Sequence, residues 1–355
     1  MFKIIVRVPN WIGDAVLSTP ALHLLGQKFP DSRIVVLAKE WVAPVFEANP
    51  DVREIYVMKE GESRRGLAGR LKAAKFDLGV LFPNSFSSAF LFRLAGIPRR
   101  VGYATDGRSF LLTQRIKRPS RFREEHQVDY YKKLVEAIIG NGQDDRQMLF
   151  AGFLDNEKDK RLVWVITKDE EKRAKKLLRK AKVPPDAKLI GLSPGAAFGP
   201  AKRWFPDRFA KLGEELQKRY QAKIILFGSS GEKEITDSIE ARMDSPGLNL
   251  AGQTTLRELG ALISRCFLFI TNDTGTMHLA AAVKTPLVAI FGSTDPVRTC
   301  PLGEKSIVLR KATPCSPCLK KECKRKDYLC MDKITVEDVL RGCQKILNPR
   351  ETGNR

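Results

Sequence analysis

Short apolar segments alternate with amphipathic segments along most of the chain, and this alternation predicts a repeated β-α-β pattern. In the first half, strands are predicted at Lys3–Val8, Arg33–Ala38, Glu54–Met58 and Asp77–Pro83. The helices between and after them are predicted at Ala15–Phe29, Trp41–Ala48, Arg64–Ala74 and Ser85–Ala95. Because such repeats form parallel sheets covered by helices on both faces, we expect a doubly wound α/β domain.

The pattern weakens between Thr113 and Asp159 and then resumes. Strands are predicted at Lys188–Leu192, Lys223–Phe227, Phe267–Thr271 and Pro286–Phe291. Helices are predicted at Lys168–Ala181, Asp207–Arg219, Glu232–Met243, Thr255–Arg265 and Thr276–Val283. We therefore expect one domain over residues 1–165 and a second over 166–335. The last segment, 336–355, carries a helix that we expect to cross back to the first domain.

The charge of the chain is strongly positive. Lys and Arg number 62 against 41 Asp and Glu, which gives a formal net charge of +21. A surplus of this size predicts a polyanionic partner, and nucleic acid, an anionic membrane surface and a phosphorylated lipid all fit it. The N-terminal strand does not resemble a signal peptide, and no apolar stretch reaches the ~18 residues of a spanning helix, so we expect a cytoplasmic protein.

The basic residues are clustered in three places, and each cluster also fits an ordinary solvated face. The clusters are Arg64, Arg65, Arg70, Lys72 and Lys75; Arg115, Lys117, Arg118, Arg121 and Arg123; and Lys320, Lys321, Lys324, Arg325 and Lys326.

The first candidate site is the turn that follows the first strand, residues 9–14. Gly13 permits a tight turn or a close backbone approach, and Asp14 stands at the start of the next helix. Two roles fit Asp14. Its residue type favours a helix N-cap, whereas its place beyond the carboxyl end of a strand suits a general base.

Two segments of the second half are typical of anion sites. The loop Ser193–Trp204 contains Gly195 and a lysine, Lys202, that suits a phosphate group. The segment 271–278, Thr-Asn-Asp-Thr-Gly-Thr-Met-His, follows an apolar strand and opens a helix whose first amides can bind an anion. The histidine of this segment fits either packing or chemistry.

The chain has seven cysteines, an odd number that argues against a disulfide framework. Four of them follow the spacing Cys-x2-Cys-x4-Cys-x6-Cys, namely Cys315, Cys318, Cys323 and Cys330. Four thiolates can close a tetrahedral structural zinc site, and the lysines interleaved with them favour thiolate. The alternative is a compact loop of reduced cysteines.

Taken in order, these motifs resemble those of the ADP-heptose:lipopolysaccharide heptosyltransferases, and in particular of the heptosyltransferase II type. The resemblance covers nearly the whole chain. It rests on Pro9–Asp14, Leu81–Phe86, Arg99–Tyr103, Pro194–Ala196, Lys202–Trp204, Asn272–Gly275 with His278, Phe291–Pro296 and the Cys315–Cys330 segment. The chain has Thr274 and Thr276 where the family often has Ser and Pro.

The resemblance implies a GT-B fold, in which two Rossmann-like domains face a cleft. It implies inverting transfer of L-glycero-D-manno-heptose from ADP-heptose, bound by the second domain, to heptosyl-Kdo-lipid A of the lipopolysaccharide inner core, bound by the first. The residues implied as catalytic are Asp14 and Lys202. The donor residues are Gly195, Lys202, Asp273, Thr274, Gly275 and His278, and the acceptor residues are Asn10, Trp11, Gly13, Asn84 and Ser85.

The resemblance also implies catalysis without a required cofactor, on the inner face of the cytoplasmic membrane, with an anionic acceptor and no nucleic-acid partner. Two alternatives remain open at this point. One is heptosyltransferase I or another GT-B sugar-nucleotide transferase. The more remote one is a basic nucleic-acid-binding protein, which the net charge alone supports.

Overall fold

A computed structural model describes residues 1–138 and 160–348. The chain divides into two compact units, Met1–Trp164 and Val165–Arg355, which we call the first and second unit. Each unit is built around one sheet of six strands. This confirms the predicted α/β class with two doubly wound parallel sheets.

The sheet of the first unit is wholly parallel and has the strand order β3-β2-β1-β4-β5-β6. Its strands are β1 (Phe2–Arg7), β2 (Ser32–Lys39), β3 (Glu54–Met58), β4 (Leu78–Leu81), β5 (Arg99–Tyr103) and β6 (Gln114–Ile116). The central strand β1 is buried between β2 and β4, where Ile4 pairs with Ile34 on one side and with Leu78 on the other. The order reverses between β1 and β4, and ligands of such sheets bind beyond the strand ends at that point.

The helices of the first unit are α1 (Ile12–Leu17), α2 (Thr19–Lys28), α3 (Arg64–Ala74), α4 (Phe86–Leu94) and α5 (Gln127–Glu136). The single helix predicted at Ala15–Phe29 is wrong, because it breaks at Ser18. The Ser18 hydroxyl donates to the Ala15 carbonyl at 2.7 Å, and Pro20 supplies no N–H to continue the first helix. The helix predicted at Trp41–Ala48 is only a short 3₁₀ turn, Ala43–Val45.

Three elements of the first unit were not predicted: β5, β6 and α5. The edge strand β6 and helix α5 lie in the stretch where the apolar pattern weakens, and β5 precedes that stretch and pairs with β4 and β6. Residues 139–159 of the stretch lie outside the described part of the chain. Strand β6 has only three residues, too few to show a period of two.

The second unit repeats the architecture with the strand order β12-β11-β10-β7-β8-β9, again parallel. Its strands are β7 (Leu189–Ser193), β8 (Lys223–Leu226), β9 (Leu248–Asn249), β10 (Leu268–Asn272), β11 (Leu287–Ile290) and β12 (Ser306–Leu309). Its helices are α6 (Lys168–Lys180), α7 (Pro206–Tyr220), α8 (Lys233–Glu240), α9 (Leu256–Ile263), α10 (Gly275–Ala282), α11 (Pro296–Thr299), α12 (Leu329–Asp332) and α13 (Val336–Leu347).

The last helix packs within the second unit, where it contacts α7, β11 and β12. Its side chains Val339, Leu340 and Cys343 are buried in the core that also holds Ile190 and Phe209. Its apolar face therefore covers the sheet of its own unit. That the helix also crosses back to the first domain stays a prediction. Residues 349–355 of the predicted segment lie outside the described part of the chain.

Candidate functional site

In the first unit, the turn between β1 and α1 carries the predicted residues Asn10, Trp11, Gly13 and Asp14. Trp11, not Asp14, occupies the N-cap of α1. Asp14 is the third residue of the helix, half-buried in its first turn, where the helix dipole favours a negative charge. The N-cap interpretation of Asp14 is therefore wrong, and its carboxylate lies at the carboxyl edge of the sheet.

A buried arginine holds this turn. Arg7, the last residue of β1, donates to the carbonyl oxygens of Val8 and Leu37 and to the side-chain oxygen of Asn10. Burial lowers the pKa of the Arg7 guanidinium to about 10. The turn is also held by the exposed Trp41, which follows β2 and donates its indole N–H to the Asn10 carbonyl at 3.0 Å.

A second buried arginine holds the loop after β4. Arg108 donates to the carbonyls of Pro83 and Tyr103 and to the side-chain oxygen of Asn84, the last at 3.5 Å. The Asn84 amide also faces the Tyr130 hydroxyl at 2.8 Å. Burial lowers the pKa of Arg108 to about 10 as well. Asn84 is thus fixed from two sides.

The predicted Ser85 follows in this loop as the N-cap of α4, and it is exposed. Because β1 and β4 are neighbours in a parallel sheet, the two loops leave the same edge. Asn10, Asp14, Asn84 and Ser85 therefore lie along one carboxyl edge of the first unit.

In the second unit, the loop between β7 and α7 places Lys202 in a 3₁₀ turn, Pro200–Lys202. Gly199 has a φ of +152°, and a Cβ there would lie 2.5 Å from the Lys321 carbonyl oxygen. That carbonyl accepts the Ala201 amide at 2.9 Å. Any other residue at 199 would push the loop away from this support.

The predicted donor residues Lys202 and Asp273 form an ion pair. The Lys202 ammonium lies 2.5 Å from Asp273 Oδ2, and both side chains are largely buried. The same oxygen accepts the Thr294 hydroxyl at 2.6 Å. Asp273 directly follows β10, and Thr294 follows β11, the neighbouring strand, so the sheet order brings the two residues together.

Asn272 joins the two donor segments. Its buried amide donates to the Pro194 carbonyl at 2.7 Å and accepts the Trp204 amide at 3.2 Å, so it ties both ends of the Ser193–Trp204 loop to β10. Thr276 adds a further link through its hydroxyl, 2.9 Å from that of Ser193. A proline at position 276 would lack this bond.

Thr274 is the N-cap of α10, and Gly275 is the first residue of that helix. The first amides of a helix have no partner within it, so they can receive an anionic group. His278 lies on the same helix and is buried. Gly195 lies against Glu232, since a Cβ at 195 would meet that carboxylate at 2.0 Å.

The cysteine segment packs beside these loops. The Ser316 hydroxyl donates to the Gly292 carbonyl at 2.6 Å, and the Leu319 amide donates to the Ser293 carbonyl at 2.8 Å. Burial, and after it the nearby thiols of Cys315 and Cys318, raise the pKa of Cys330. At Cys330 this is opposite to the thiolate-favouring effect expected from the lysines. Within residues 1–138 and 160–348, no group of three or more His, Cys, Asp or Glu converges to hold a metal ion.

Five residues of these two edges were missed by sequence reasoning: Arg7, Arg108, Tyr130, Glu232 and Thr294. Arg108 and Tyr130 act on a loop far away in the sequence, and no local pattern indicates that. Thr294 lies in the Phe291–Pro296 motif that contributed to the resemblance, which was the only available signal for it.

The arrangement suits group transfer. Asp14 can accept a proton at the edge of the first unit, while Lys202 and the first amides of α10 can stabilise the charge of a phosphorylated leaving group. In residues 1–138 and 160–348, no helix is both long enough and apolar enough to span a bilayer.

The comparisons with known proteins agree with this chemistry. The sequence profile of glycosyltransferase family 9 (heptosyltransferase) matches residues 64–329. Lipopolysaccharide heptosyltransferase 2 of Salmonella typhimurium is 32% identical over 357 residues, covering 98% of this chain and 99% of the relative. Lipooligosaccharide heptosyltransferase 2 of Haemophilus ducreyi is 35% identical over 320 residues, covering 87% and 88%.

Among solved structures, that of Escherichia coli ADP-heptose lps heptosyltransferase II superposes with a TM-score of 0.80 at 31% identity, over 99% of this chain and 100% of that one. The family profile covers most of the chain, and the relatives align along nearly its full length. The chain therefore belongs to glycosyltransferase family 9, the heptosyltransferases, and is a glycosyltransferase of the GT-B fold.

Proposed function

We propose that the enzyme transfers L-glycero-D-manno-heptose from ADP-heptose to heptosyl-Kdo-lipid A during synthesis of the lipopolysaccharide core. The observation that carries this proposal is the buried group of Lys202, Asp273 and Thr294 beside the first amides of α10. It combines a cation for a diphosphate with a carboxylate for sugar hydroxyls. The names of the relatives and of the similar solved structure, heptosyltransferase 2 and ADP-heptose lps heptosyltransferase II, support transfer of heptose from ADP-heptose to an acceptor of this class.

In this proposal the second unit binds the donor. The diphosphate lies between Lys202 and the amides of Thr274 and Gly275, and it takes over part of the charge that Lys202 shares with Asp273. His278 and Gly195 line the same site. When the sugar–phosphate bond breaks, negative charge grows on ADP, and the lysine and amides stabilise it without reorganising.

The first unit binds the acceptor through Asn10, Trp11, Gly13, Asn84 and Ser85. Asp14 removes the proton from the attacking hydroxyl of the acceptor as its oxygen bonds to the anomeric carbon. That carbon simultaneously loses its bond to ADP, so a single displacement inverts its configuration. Arg7 and Arg108 act as positioning residues, because they fix Asn10 and Asn84 from beneath the edge.

The test is a transfer assay with purified protein, ADP-heptose and heptosyl-Kdo-lipid A, read by mass spectrometry. We expect one added heptose. Transfer to Kdo-lipid A that lacks the first heptose would instead indicate heptosyltransferase I. Transfer only from another sugar nucleotide would indicate a different GT-B transferase. Tight, sequence-selective binding of nucleic acid without transfer would support the basic nucleic-acid binder.

We also propose that the enzyme works in the cytoplasm, peripherally on the inner face of the cytoplasmic membrane. Its net charge of +21 supports this, because each cation near an anionic leaflet contributes ~1 kcal/mol at low salt. Anionic phosphate groups on the acceptor would use the same charges.

A structural zinc at Cys315, Cys318, Cys323 and Cys330 stays a prediction. As arranged here, the four thiols do not form a ligand group, and no catalytic step needs one. Elemental analysis of protein purified without chelators decides it. About one zinc per chain would support the prediction, and four freely titrating thiols without zinc would refute it.

A further inference from the structure

Helix α4 exposes an apolar row to solvent. Phe86, Phe90 and Leu94 follow one another at a spacing of four and are 43%, 39% and 42% exposed. The opposite side of the helix is also apolar and is buried in the core through Ala89 and Phe92. A surface helix normally turns polar residues outward, whereas this helix is apolar on both sides.

Phe110 enlarges the row into a continuous patch. It lies on a 3₁₀ turn, Ser109–Leu111, and is 68% exposed. Its ring centre lies 6.0 Å from that of Phe86, which stacks at 6.3 Å on Phe90. We call Phe86, Phe90, Leu94 and Phe110 the aromatic face. Apolar residues scattered singly on a surface need no explanation, but a contiguous group of this kind marks a contact surface.

The surroundings of the aromatic face are basic. Arg93 is exposed on α4 itself, and the helix contains no acidic residue. Helix α3 packs beside α4 and exposes Arg64, Arg65 and Lys72. Residues 64–123 contain fourteen Lys and Arg, of which Arg108 is buried, against two acidic residues, Asp77 and Asp106.

We propose that the aromatic face is a membrane-docking surface, which inserts its rings among the headgroups of an anionic bilayer while the flanking cations bind the lipid phosphates. Aromatic and apolar side chains bordered by Arg and Lys are the pattern of interfacial binding. A basic rim favours a lipid surface over an apolar protein partner. With nine residues, α4 is far too short to span the bilayer and lies in its interface.

This inference rests on the proposed function, since the proposed acceptor is a lipid embedded in a membrane. The two are tested separately. Vesicle binding is measured without donor or acceptor, and transfer is measured on a de-acylated, water-soluble acceptor. If transfer fails while vesicles still bind, the proposed function is wrong. If transfer succeeds while the aromatic face has no effect on vesicle binding, this inference is wrong.

The experiment is co-sedimentation with vesicles of phosphatidylcholine alone or mixed equally with phosphatidylglycerol, at physiological and high salt. The wild type should bind the mixed vesicles, and part of that binding should survive high salt, because salt screens charges but not apolar insertion. The Phe90→Ser/Phe110→Ser variant should bind the mixed vesicles with an affinity at least about tenfold lower than that of the wild type. It should also lose the part of the binding that survives high salt. Its melting temperature should fall only slightly, because neither ring belongs to the buried core.

Two further variants serve as controls. Val297→Ser/Leu319→Ser removes two exposed apolar side chains of the second unit and should bind vesicles like the wild type. Arg64→Gln/Arg65→Gln should weaken binding at physiological salt while keeping the part that survives high salt. The proposal is overturned if Phe90→Ser/Phe110→Ser binds mixed vesicles like the wild type. It is also overturned if this variant only converts a dimer to a monomer, which would make the face a contact between copies of the chain.

Discussion

Arg7 and Arg108 are charges placed where burial is costly, and backbone carbonyls and asparagine oxygens accept their hydrogen bonds. Burial of a guanidinium costs desolvation free energy, and its hydrogen bonds to the two loops offset that cost while they fix the conformation of the loops. Both loops, 8–11 and 83–85, lead into a helix at the same sheet edge. At the residue scale, the first unit therefore uses rigid support beneath its edge so that Asp14 and Asn84 keep their places.

The first prediction concerns Asp14. Asp14→Asn keeps the size of the side chain but removes its basicity, so turnover should fall by ~10²–10⁴-fold, the usual contribution of a general base. The melting temperature should change little, because the substitution keeps the size of the side chain and Trp11, not Asp14, is the N-cap of α1. Steady-state kinetics and thermal unfolding measure the two effects. Turnover close to that of the wild type would remove Asp14 from the role of base.

The second prediction concerns Thr294, whose hydroxyl bonds Asp273 at 2.6 Å. Thr294→Val keeps the shape and removes that bond. A hydrogen bond to a charged group contributes roughly 1.5–3 kcal/mol, so kcat/KM for ADP-heptose should fall by about ten- to a hundred-fold. Thr294→Ser retains the hydroxyl and should restore most of the activity. Equal activity of the Val and Ser variants would show that the hydroxyl does not position Asp273.

Single positions differ in how far the sequence reveals them. Asp14, Lys202 and Asp273 lie in local motifs after strands, so residue type and position suffice to select them. Arg108 and Tyr130 meet Asn84 only because β4, β5 and α5 come together in the fold. Two of those three elements, β5 and α5, were not predicted, so the contacts of Arg108 and Tyr130 with Asn84 could not be predicted from the sequence either.

At the scale of elements, a buried ion pair joins two helices of the second unit. The Arg257 guanidinium of α9 donates to both carboxylate oxygens of Glu170 in α6, at 2.7 and 2.9 Å. The two side chains are almost fully buried. Burial by itself would raise the pKa of Glu170, but the bonds from Arg257 and Thr167 lower it. The pair thus docks α6, whose exposed face is highly charged, onto the rest of the unit.

The third prediction follows from this pair. Arg257→Met leaves Glu170 buried without its partner and should lower the free energy of unfolding by about 3–5 kcal/mol, whereas Arg257→Met/Glu170→Met should recover much of the loss. Because the pKa of Glu170 is lowered on folding, its contribution is complete above the unfolded value of 4.5 and is lost as the pH falls below it. Denaturant titration of both variants checks this. An equally destabilised double mutant would contradict it.

Elements were predictable where they were long and periodic. Helix α6 is clear from its charge pattern and from Thr167, which caps it. Strands β9 and β12 were missed because they have two and four residues and lie at the sheet edges, where burial on both faces is not required. Helix α2 was merged with α1 because both share one apolar pattern, and the hydroxyl bonds near Ser18 together with Pro20 separate them.

At the scale of the whole molecule, the chain consists of two compact units that carry different candidate sites. The proposed donor residues Gly195, Lys202, Asp273 and His278 all belong to the second unit. A ligand stabilises only the folded unit that binds it, by RT ln(1 + [L]/Kd).

The fourth prediction is that ADP protects the second unit selectively. At a concentration one hundred times its Kd, ADP should stabilise that unit by about 2.7 kcal/mol. Hydrogen exchange should slow in 193–204 and 271–278, and the amides of β1 and β4 should exchange as before. Lys202→Ala should weaken both the protection and the affinity. Protection confined to the first unit would reverse the assignment of donor and acceptor.

The support that Lys321 and Ile334 give to the Ser193–Trp204 loop has a consequence for how the nascent chain folds. The indole N–H of Trp204 donates to the Ile334 carbonyl, 130 positions later in the chain, and the Lys321 carbonyl receives the Ala201 amide. A nascent chain that has left the ribosome only as far as Trp204 lacks both partners. We therefore expect the loop that carries Lys202 to reach its final shape only after residue 334 has left the ribosome, late in translation.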